Sequence, residues 1–310
     1  MKKIIFSILL LGVCFPMLSQ QLTQYSNFVS NYVMLNPATV GSVKCLEFNV
    51  GHRTQWTKVE GHPVTSYANI QGNFGKKKFN FHGLGMVVEN DVAGAIVYTT
   101  LSVAYAYHMK INRKNMMSFG LSAGMMQYKL DYSLLTPLDY NDPVIRGSVS
   151  EVKAPYMNTG VWLYNSKYFL GFSVRNVVGS TLKELEVTSD TKLIQHFEFT
   201  GGKTIELHEN FNFKPAFQLK VVGGSKPALD IQGMIDYLNK FSFGMGARSG
   251  NGLVFLTNLT VKKYVTLSYA YDRTLSKMKL QGVHSHEFML SFNPCKGYTS
   301  GNYIKCAAYD

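Results

Sequence analysis

The sequence lacks long apolar runs and is poor in charged residues. After its first twenty residues, no stretch holds eighteen apolar residues in a row, which excludes a helical membrane span over that part of the chain. Charged residues make up only 16% of the chain, against about a quarter in an ordinary globular domain. Aromatic residues, in contrast, account for 13%. This composition is unusual for a soluble domain of the same size.

Catalytic motifs are also absent from the sequence. There is no Gly-x-Ser-x-Gly elbow, no P-loop and no His-Glu-x-x-His pattern, so we expect neither enzymatic activity nor a cofactor. His284 and His286 would share one face of a strand, but no third metal ligand accompanies them, and a polar strand end is the simpler interpretation. Asp139, Asp142 and Glu151 could bind a divalent cation, but a solvated loop is again simpler.

The first residues have the pattern of a secretory signal peptide. Two lysines precede a short apolar stretch, and Ser19 supplies the small residue that cleavage requires. We therefore expect residues 1–19 to be removed. A lipoprotein signal, with Cys14 as the modified residue, is the alternative, but Val13 is a poor residue in front of a lipidated cysteine.

Cysteine is scarce, with four residues in the whole chain. Removal of the signal peptide leaves Cys45, Cys295 and Cys306. An odd number of cysteines in an exported protein predicts at most one disulfide and one remaining thiol. The sequence allows all three pairings, and no spacing suggests a metal site.

The sequence does contain many short segments with a period of two, which is the signature of strands. In one of them, Leu170, Phe172 and Val174 alternate with glycine, Ser173 and Arg175. A β-sandwich would need large apolar residues on its inner faces. Aromatic residues on one face and small or polar residues on the other are instead typical of a barrel with lipid outside and a polar lumen.

We count fourteen such segments and therefore predict an all-β fold, a transmembrane antiparallel β-barrel with both termini on the periplasmic side. The barrel would cover residues 44–293. Residues 20–43 would lie on the periplasmic side or in the barrel mouth, and residues 294–310 would form a tail. The fourteen segments are 44–53, 64–74, 82–90, 95–109, 116–128, 156–164, 167–175, 192–202, 211–221, 226–237, 240–248, 252–261, 263–271 and 284–293.

The connectors between these segments support the count. The four longest, 54–63, 129–155, 176–191 and 272–283, all follow odd-numbered segments. Outer-membrane barrels have long outer loops and short periplasmic turns. The predicted short turns are 75–81, 110–115, 165–166, 203–210, 238–239 and 262–263.

Basic residues are concentrated in the short turns. This basic rim would contact phospholipid headgroups and water, or it would dock an acidic periplasmic partner. Nucleic acid is not an expected partner, because no recognition helix or stacking motif accompanies the basic residues. The rim consists of Lys76, Lys77, Lys78, Lys110, Arg113, Lys114, Lys262 and Lys263, with Lys167 and Lys240 beside them.

Two motif-bearing stretches, QLTQYSNFVSNYVMLNPATVGS and GHRTQWTKVEGHPVTSY, resemble the opening of the PorP/SprF family. These are outer-membrane proteins of the type IX secretion system of Bacteroidetes. The last segment, HEFMLSF, is similar to the family's final strand, whereas the cysteine-bearing tail departs from the pattern and leaves the family branch open. The matching residues are Gln24, Tyr25, Leu35, Asn36, Pro37, Ala38, Gly41, Arg53, Gln55, Trp56, Gly61, Pro63 and Thr65.

This resemblance implies a role in export of cargo proteins and, in some members, in adhesin secretion and gliding motility. It implies partners in the periplasmic ring lipoprotein complex and in cargo with a C-terminal sorting domain, besides outer-membrane lipid, and it implies no cofactor. We expect Arg53, Gln55 and Trp56 to form a structural or docking latch, in which Arg53 pairs with a carboxylate in the lumen. Cargo contact is the alternative for these residues. For the whole protein, the alternative is a passive diffusion porin or small-molecule transporter.

Overall fold

The computed structural model describes most of the chain after residue 22. Strands dominate, together with four single-turn 3-10 helices. None of the described helices has the length and apolar character needed to span a membrane. The described residues are 23–43, 46–75, 80–135, 149–179, 193–249, 252–262, 264–275, 283–294 and 306–308.

Fifteen strands are described, and most match a predicted segment to within a few residues. They are β1 (Glu47–Thr54), β2 (Val64–Phe74), β3 (Phe81–Ala93), β4 (Ile96–Lys110), β5 (Met116–Asp131), β6 (Val149–Tyr164), β7 (Tyr168–Arg175), β8 (His196–Lys203), β9 (Ile205–His208), β10 (Phe211–Val222), β11 (Ala228–Tyr237), β12 (Phe241–Arg248), β13 (Gly252–Val261), β14 (Val265–Thr274) and β15 (His284–Phe292).

The strands form one closed antiparallel barrel. Each strand pairs with its neighbour in the chain, and β15 closes the sheet on β1, with Arg53 opposite Glu287. The short strand β9 continues β8 after a break at Thr204, since both strands pair with β10. Counted as one, β8 and β9 make this the fourteen-stranded barrel that the sequence predicts.

Two predicted boundaries were wrong. The predicted turn over 203–210 includes Ile205–His208, which forms β9 and leaves only Glu209 and Asn210 as the turn. Strand β6 begins at Val149 rather than after Pro155. Up to residue 158 the register joins β6 only to β5, and its pairing with β7 begins at Thr159. A strand with a ladder on one side accommodates a proline, because the missing N–H group is not needed on the other side.

The two faces of the wall alternate as predicted. On β7, Leu170 points outward and is 51% exposed, whereas Ser173 and Arg175 point inward and are buried. On β12, Phe243 and Met245 are outward and exposed. The exterior is therefore apolar, as in barrels that contact lipid.

The connectors divide the barrel into two ends. The long-loop end carries the connectors after β1, β3, β5, β7, β10, β12 and β14, including 132–148 and 176–195. The short-turn end carries the others, which contain at most six residues, as in 75–80. The predicted segregation of long and short connectors is thus present in the structure.

Aromatic side chains ring the outer surface at the short-turn end. Tyr168, Phe211, Tyr237, Tyr264 and Phe292 all lie at strand ends or in turns there and are substantially exposed. Aromatic girdles of this kind mark the boundary between the apolar core of a bilayer and its headgroups. The girdle therefore indicates where one membrane surface meets the barrel.

Candidate functional site: the plugged barrel interior

Residues 23–43, called the plug below, fill much of the barrel interior. The plug contains three single-turn 3-10 helices, Phe28–Ser30, Tyr32–Met34 and Pro37–Thr39. Nearly all of its side chains are buried, and Phe28 is 0% exposed. The sequence analysis placed residues 20–43 on the periplasmic side or in the barrel mouth. The described part of that segment instead extends along the interior.

The plug runs from the long-loop half of the interior to the short-turn end. Thr23 lies beside Tyr98 and Asn176, which belong to the long-loop half. At the other end, the carbonyl of Val43 accepts a hydrogen bond from Asn73, near the end of β2. Strand β1 begins at Glu47 near this end and runs toward the long-loop end.

The Leu-Asn-Pro-Ala motif fixes the middle of the plug to the wall. The side-chain oxygen of Asn36 caps a 3-10 turn by accepting from the backbone N–H of Ala38 at 2.9 Å, and Pro37 follows at the first position of that turn. The side-chain nitrogen of Asn36 donates to the carbonyls of Val161 on β6 and Phe172 on β7, at 3.1 and 3.2 Å. One amide side chain thus ties the plug to two strands.

Wall glycines let the plug approach the backbone of the strands. A Cβ atom added to Gly120 would lie 2.2 Å from the backbone nitrogen of Ala38, and one added to Gly83 would lie 1.9 Å from the carbonyl oxygen of Val40. Within the plug, Gly41 adopts a φ of +82°, a conformation that favours glycine. The absence of side chains at these positions creates the seat of the plug.

Polar side chains of the wall satisfy the backbone of the plug. Ser118 donates to the carbonyl of Ala38 at 2.5 Å, and Ser173 donates to the carbonyl of Leu35 at 2.8 Å. The plug has no strand partner, so its peptide groups depend on such bonds. Further wall residues that hydrogen-bond to the plug are Asn69, Gln71, Asn73, His108, Gln232, Arg248 and Asn258.

Arg53 lies at the centre of a buried charged cluster. Its side chain points inward from the end of β1 and is 1% exposed. Its Nε atom is 3.7 Å from Glu287 and its Nη2 atom is 3.7 Å from Asp272. Arg53 also donates to the side chains of Gln55 and Ser26. The motif residues Arg53 and Gln55 therefore contact each other, and Arg53 also contacts the plug through Ser26.

The cluster continues around the wall as alternating charges. Arg248 contacts Asp272 at 2.7 Å and Asp230 at 3.3 Å, and Lys220 contacts Asp230 at 3.2 Å. Together with Arg53 and Glu287, this makes three cations and three carboxylates. Buried charges of this kind are tolerated when they are paired, and removing one partner is costly.

Glu287 joins the charged cluster to the first residues of the plug. One of its oxygens accepts from the backbone N–H groups of Ser26 and Asn27, at 2.5 and 3.3 Å. Its other oxygen accepts from the Tyr67 hydroxyl at 3.1 Å. The cluster thus holds the wall strands and the plug in one arrangement.

A second buried cluster surrounds Arg175 on β7. Its guanidinium lies 3.9 Å from Glu89 and 3.8 Å from Glu198, and it donates to the hydroxyl of Tyr156 at 3.1 Å. The sequence analysis did not single out these residues or the partners of Arg53. The available signal was a charged residue on the inward face of a strand, which the alternation alone could have located.

The remaining motif residues shape the first long loop. The N–H of Gln55 donates to the carbonyl of Pro63 at 2.8 Å and closes the loop at its base. Trp56 has a φ of +57° and is 36% exposed, and Gly61 also has a positive φ. Thr65 is buried on β2. The structure thus brings Arg53 and Gln55 inward and leaves Trp56 at the surface.

The described members of the basic rim are exposed at the short-turn end. Lys76, Lys77, Lys78 and Lys263 lie outside the described residues. Because the described members point into solvent from turns on one end, they form an accessible positive surface. These members are Lys110, Arg113, Lys114 and Lys262, with Lys167 and Lys240 beside them.

The other sequence candidates are not gathered into a site. His284 and His286 lie on the outer face and hydrogen-bond to Tyr271 and Tyr269, at 2.6 and 2.8 Å. Glu151 forms an exposed ion pair with a neighbouring lysine. Within the described ranges, no group of three or more His, Cys, Asp or Glu side chains could hold a metal ion. Asp139 and Asp142 lie outside the described residues.

The cysteine pairing stays a prediction. Cys45 and Cys295 lie outside the described residues. Cys306 is buried among apolar residues of the plug and the wall, and the neighbouring Ala307 donates its N–H to the carbonyl of Asn165 in a short turn. The described part of the tail therefore packs at the short-turn end.

Comparisons with known proteins agree with this architecture. A family model described as "Type IX secretion system membrane protein PorP/SprF" matches residues 17–292. No curated protein matches the chain. Among solved structures, the Ralstonia pickettii toluene transporter TbuX has a TM-score of 0.51 at 11% identity and covers 84% of this chain and 91% of its own. The Pseudomonas putida toluene transporter TodX has a TM-score of 0.49 at 9% identity, covering 89% and 98%. The likeness to TbuX shows the fold alone.

Proposed function

The chain belongs to the PorP/SprF family of type IX secretion system membrane proteins, and from this premise we propose that it acts as a docking barrel. It is an outer-membrane β-barrel whose system membership implies contact with other secretion components. In our proposal the protein is not an enzyme. It assists surface delivery of cargo by binding periplasmic ring lipoproteins or the sorting domain of the cargo.

The filled interior is the observation that carries this proposal. The plug is bonded to the wall by side chains of Asn69, Ser118, Ser173 and Gln232, on strands distributed around the barrel. A protein substrate would need a lumen free of this segment. A barrel occupied in this way acts more readily through its rims than through its centre.

The short-turn rim is the surface that we assign to the periplasmic partner. Short turns face the periplasm in outer-membrane barrels, and the described basic residues of these turns are exposed. A positive rim accelerates encounter with an acidic surface and aligns it. We therefore expect the ring complex to present acidic residues to this end.

Charge reversal at the short-turn end tests the docking proposal. The triple variant K110E/R113E/K114E should fold normally, because all three residues are exposed, and it should recover much less ring lipoprotein. The measurement is a pull-down from detergent-solubilised outer membrane with bound proteins identified by mass spectrometry. The matched control is K58E/R273E, which reverses two exposed charges at the long-loop end. Equal recovery with both variants would contradict docking through the basic rim.

The alternative function is a passive diffusion porin or small-molecule transporter. It would require a continuous aqueous path past the plug. The buried clusters around Arg53 and Arg175 occupy the long-loop half of the interior and are themselves bonded to the plug and the wall. This arrangement favours the docking proposal over the alternative.

A further inference from the structure

A cavity of about 140 Å³ remains in the interior at the short-turn end. It lies between the plug residues Val29 and Tyr32 and the inner wall, where β10–β15 supply most of the lining, and it reaches the exposed turn residue Asn239. Neither charged cluster contributes to it. The cavity is therefore separate from the contacts that hold the first part of the plug.

One side of the cavity is a row of polar side chains. In the register of the sheet, Asp236 on β11 pairs with Ser242 on β12. Ser242 pairs in turn with Asn258 on β13, and Asn258 pairs with Ser268 on β14. All four residues line the cavity. Since neighbouring strands lie about 4.8 Å apart, the four residues form one continuous row across the wall.

Three atoms of this row have no hydrogen-bond partner among the described residues. They are a carboxylate oxygen of Asp236, the amide oxygen of Asn258 and the hydroxyl oxygen of Ser268. Asp236 and Ser268 are each only 4% exposed. A buried polar atom without a partner destabilises the folded state. Three such atoms facing one cavity therefore indicate a place built for a bound group.

The chemistry of the row selects the bound group. The carboxylate and amide oxygens can only accept, whereas the Ser268 hydroxyl can donate or accept, so a ligand with N–H or O–H donors satisfies all three groups. Asp236 adds a negative charge, and no ion pair joins it to a cation within the part of the chain that the structure describes. Lys203, Lys214 and Glu47 also line the cavity. These three carry a net charge of +1, so the lining is neutral once Asp236 is counted, and the carboxylate of Asp236 is the local place for a cation.

Apolar side chains also line the cavity. Val29 belongs to the plug, whereas Met234 and Met289 lie on the wall beside the polar row, Met234 on the same strand as Asp236 and Met289 as the register partner of Ser268. The volume of the cavity is close to that of engineered cavities that hold one benzene molecule, roughly 150 Å³, which also suits a chain of a few methylenes. The site therefore combines polar groups with adjoining apolar surface that can contact methylene groups.

We propose that this cavity binds an alkylammonium ligand that carries a second N–H donor. The ammonium group pairs with Asp236, and the second donor reaches Asn258 or Ser268, two and three strands further along the wall. A lysine residue has this composition, since its main-chain N–H lies several methylenes from its ammonium group. Free diamines have it as well. The site stands independently of docking by the basic rim.

Binding of small probes to the purified full-length protein tests the site. Nα-acetyl-lysine methylamide should raise the unfolding temperature progressively as its concentration increases, whereas the norleucine analogue, which lacks the amine, should not. D236N should weaken binding of the lysine probe at least tenfold, roughly the effect of losing a hydrogen bond to a charged group. S268A should weaken binding of the lysine probe about threefold, the effect of losing one neutral hydrogen bond. The control is E206Q, which alters an exposed carboxylate at the same end and should leave binding unchanged.

Each outcome of the titration decides the proposal. Equal responses to lysine and norleucine probes, or full binding by D236N, would overturn the proposal, because the ammonium group would then not be recognised by Asp236. If D236N fails to fold, S268A decides, because it removes only a hydroxyl that has no partner among the described residues. Tighter binding of 1,5-diaminopentane than of the lysine probe would identify a free diamine, and the reverse order would identify a lysine of a protein segment. The test needs no partner, so its failure leaves the pull-down result unaffected.

Discussion

At the scale of single residues, buried charges affect the stability of the fold more than exposed charges do. Arg53 bonds with two carboxylates and with Ser26 of the plug. Exposed ion pairs such as that of Glu151 contribute little, because water screens them. In contrast, an uncompensated charge would remain in the interior if a buried arginine lost its carboxylates or if the carboxylates lost their arginine.

Substitution of Arg53 should therefore be strongly destabilising. We expect R53Q to lower the free energy of unfolding by about 3 kcal/mol, the usual scale for breaking a buried ion pair. Urea unfolding of the protein in lipid vesicles measures this change. The control is R273Q, which alters an exposed arginine at the same end of the barrel and should change stability by less than about 0.5 kcal/mol.

The double variant R53Q/E287Q separates charge pairing from packing. Removal of both charges leaves fewer uncompensated groups, so the double variant should be more stable than the sum of the two single variants predicts. Strict additivity of the two substitutions would contradict the pairing of Arg53 with Glu287.

At the scale of elements, the plug depends on wall glycines. Its three 3-10 turns have few backbone bonds of their own, and Asn36 is held by the carbonyls of Val161 and Phe172. Gly120 and Gly83 leave the space that the backbone of the plug occupies. The strands would still form a closed barrel without this fit, since every strand except the short β9 pairs with two neighbours.

A methyl group at position 120 should loosen the plug without opening the barrel. In G120A the new Cβ would lie 2.2 Å from the nitrogen of Ala38, and overpacking of this kind costs about 1–3 kcal/mol. Hydrogen exchange of the amides of residues 28–39 should become roughly tenfold faster, while exchange in β4 and β5 stays slow. The control is G223A, where nothing lies within 4 Å of the added atom. Unchanged exchange in G120A would show that the plug is not seated on this glycine.

Sequence reasoning located most elements but not their contacts. The predicted segment 156–164 missed the first residues of β6, which begins at Val149 and which the register there joins only to β5. The seat of the plug was missed because Gly120 and Ala38 are far apart in the chain. A glycine in a strand gives no indication of which segment will pack against it.

At the scale of the whole molecule, the number of strands explains why a plug is present. Barrels of about eight strands are filled by their own side chains, and those of 16–18 strands leave an aqueous channel. Fourteen strands enclose a space that side chains alone do not fill. The plug and the two charged clusters occupy most of it, and the polar cavity near Asp236 remains.

Electrical recordings should distinguish a plugged barrel from a porin. The intact protein in planar bilayers should show no steady open-channel current, because the plug and the charged clusters block the path. The double variant G83V/G120V, which displaces the plug from its seat, should produce conducting events, and R273Q should behave like the intact protein. A steady current through the intact protein would support the porin alternative.

The sequence by itself determined the number of strands, their faces and the two ends of the barrel. These properties follow from the period of two and from connector length. Both are local features of the sequence, because a strand with lipid on one face alternates apolar and polar residues along its length. Only the tertiary structure decided where residues 23–43 lie and which charges pair. Arg53 and Glu287 meet because barrel closure brings β1 and β15 together, and a contact between the two ends of a chain leaves no local pattern in its sequence.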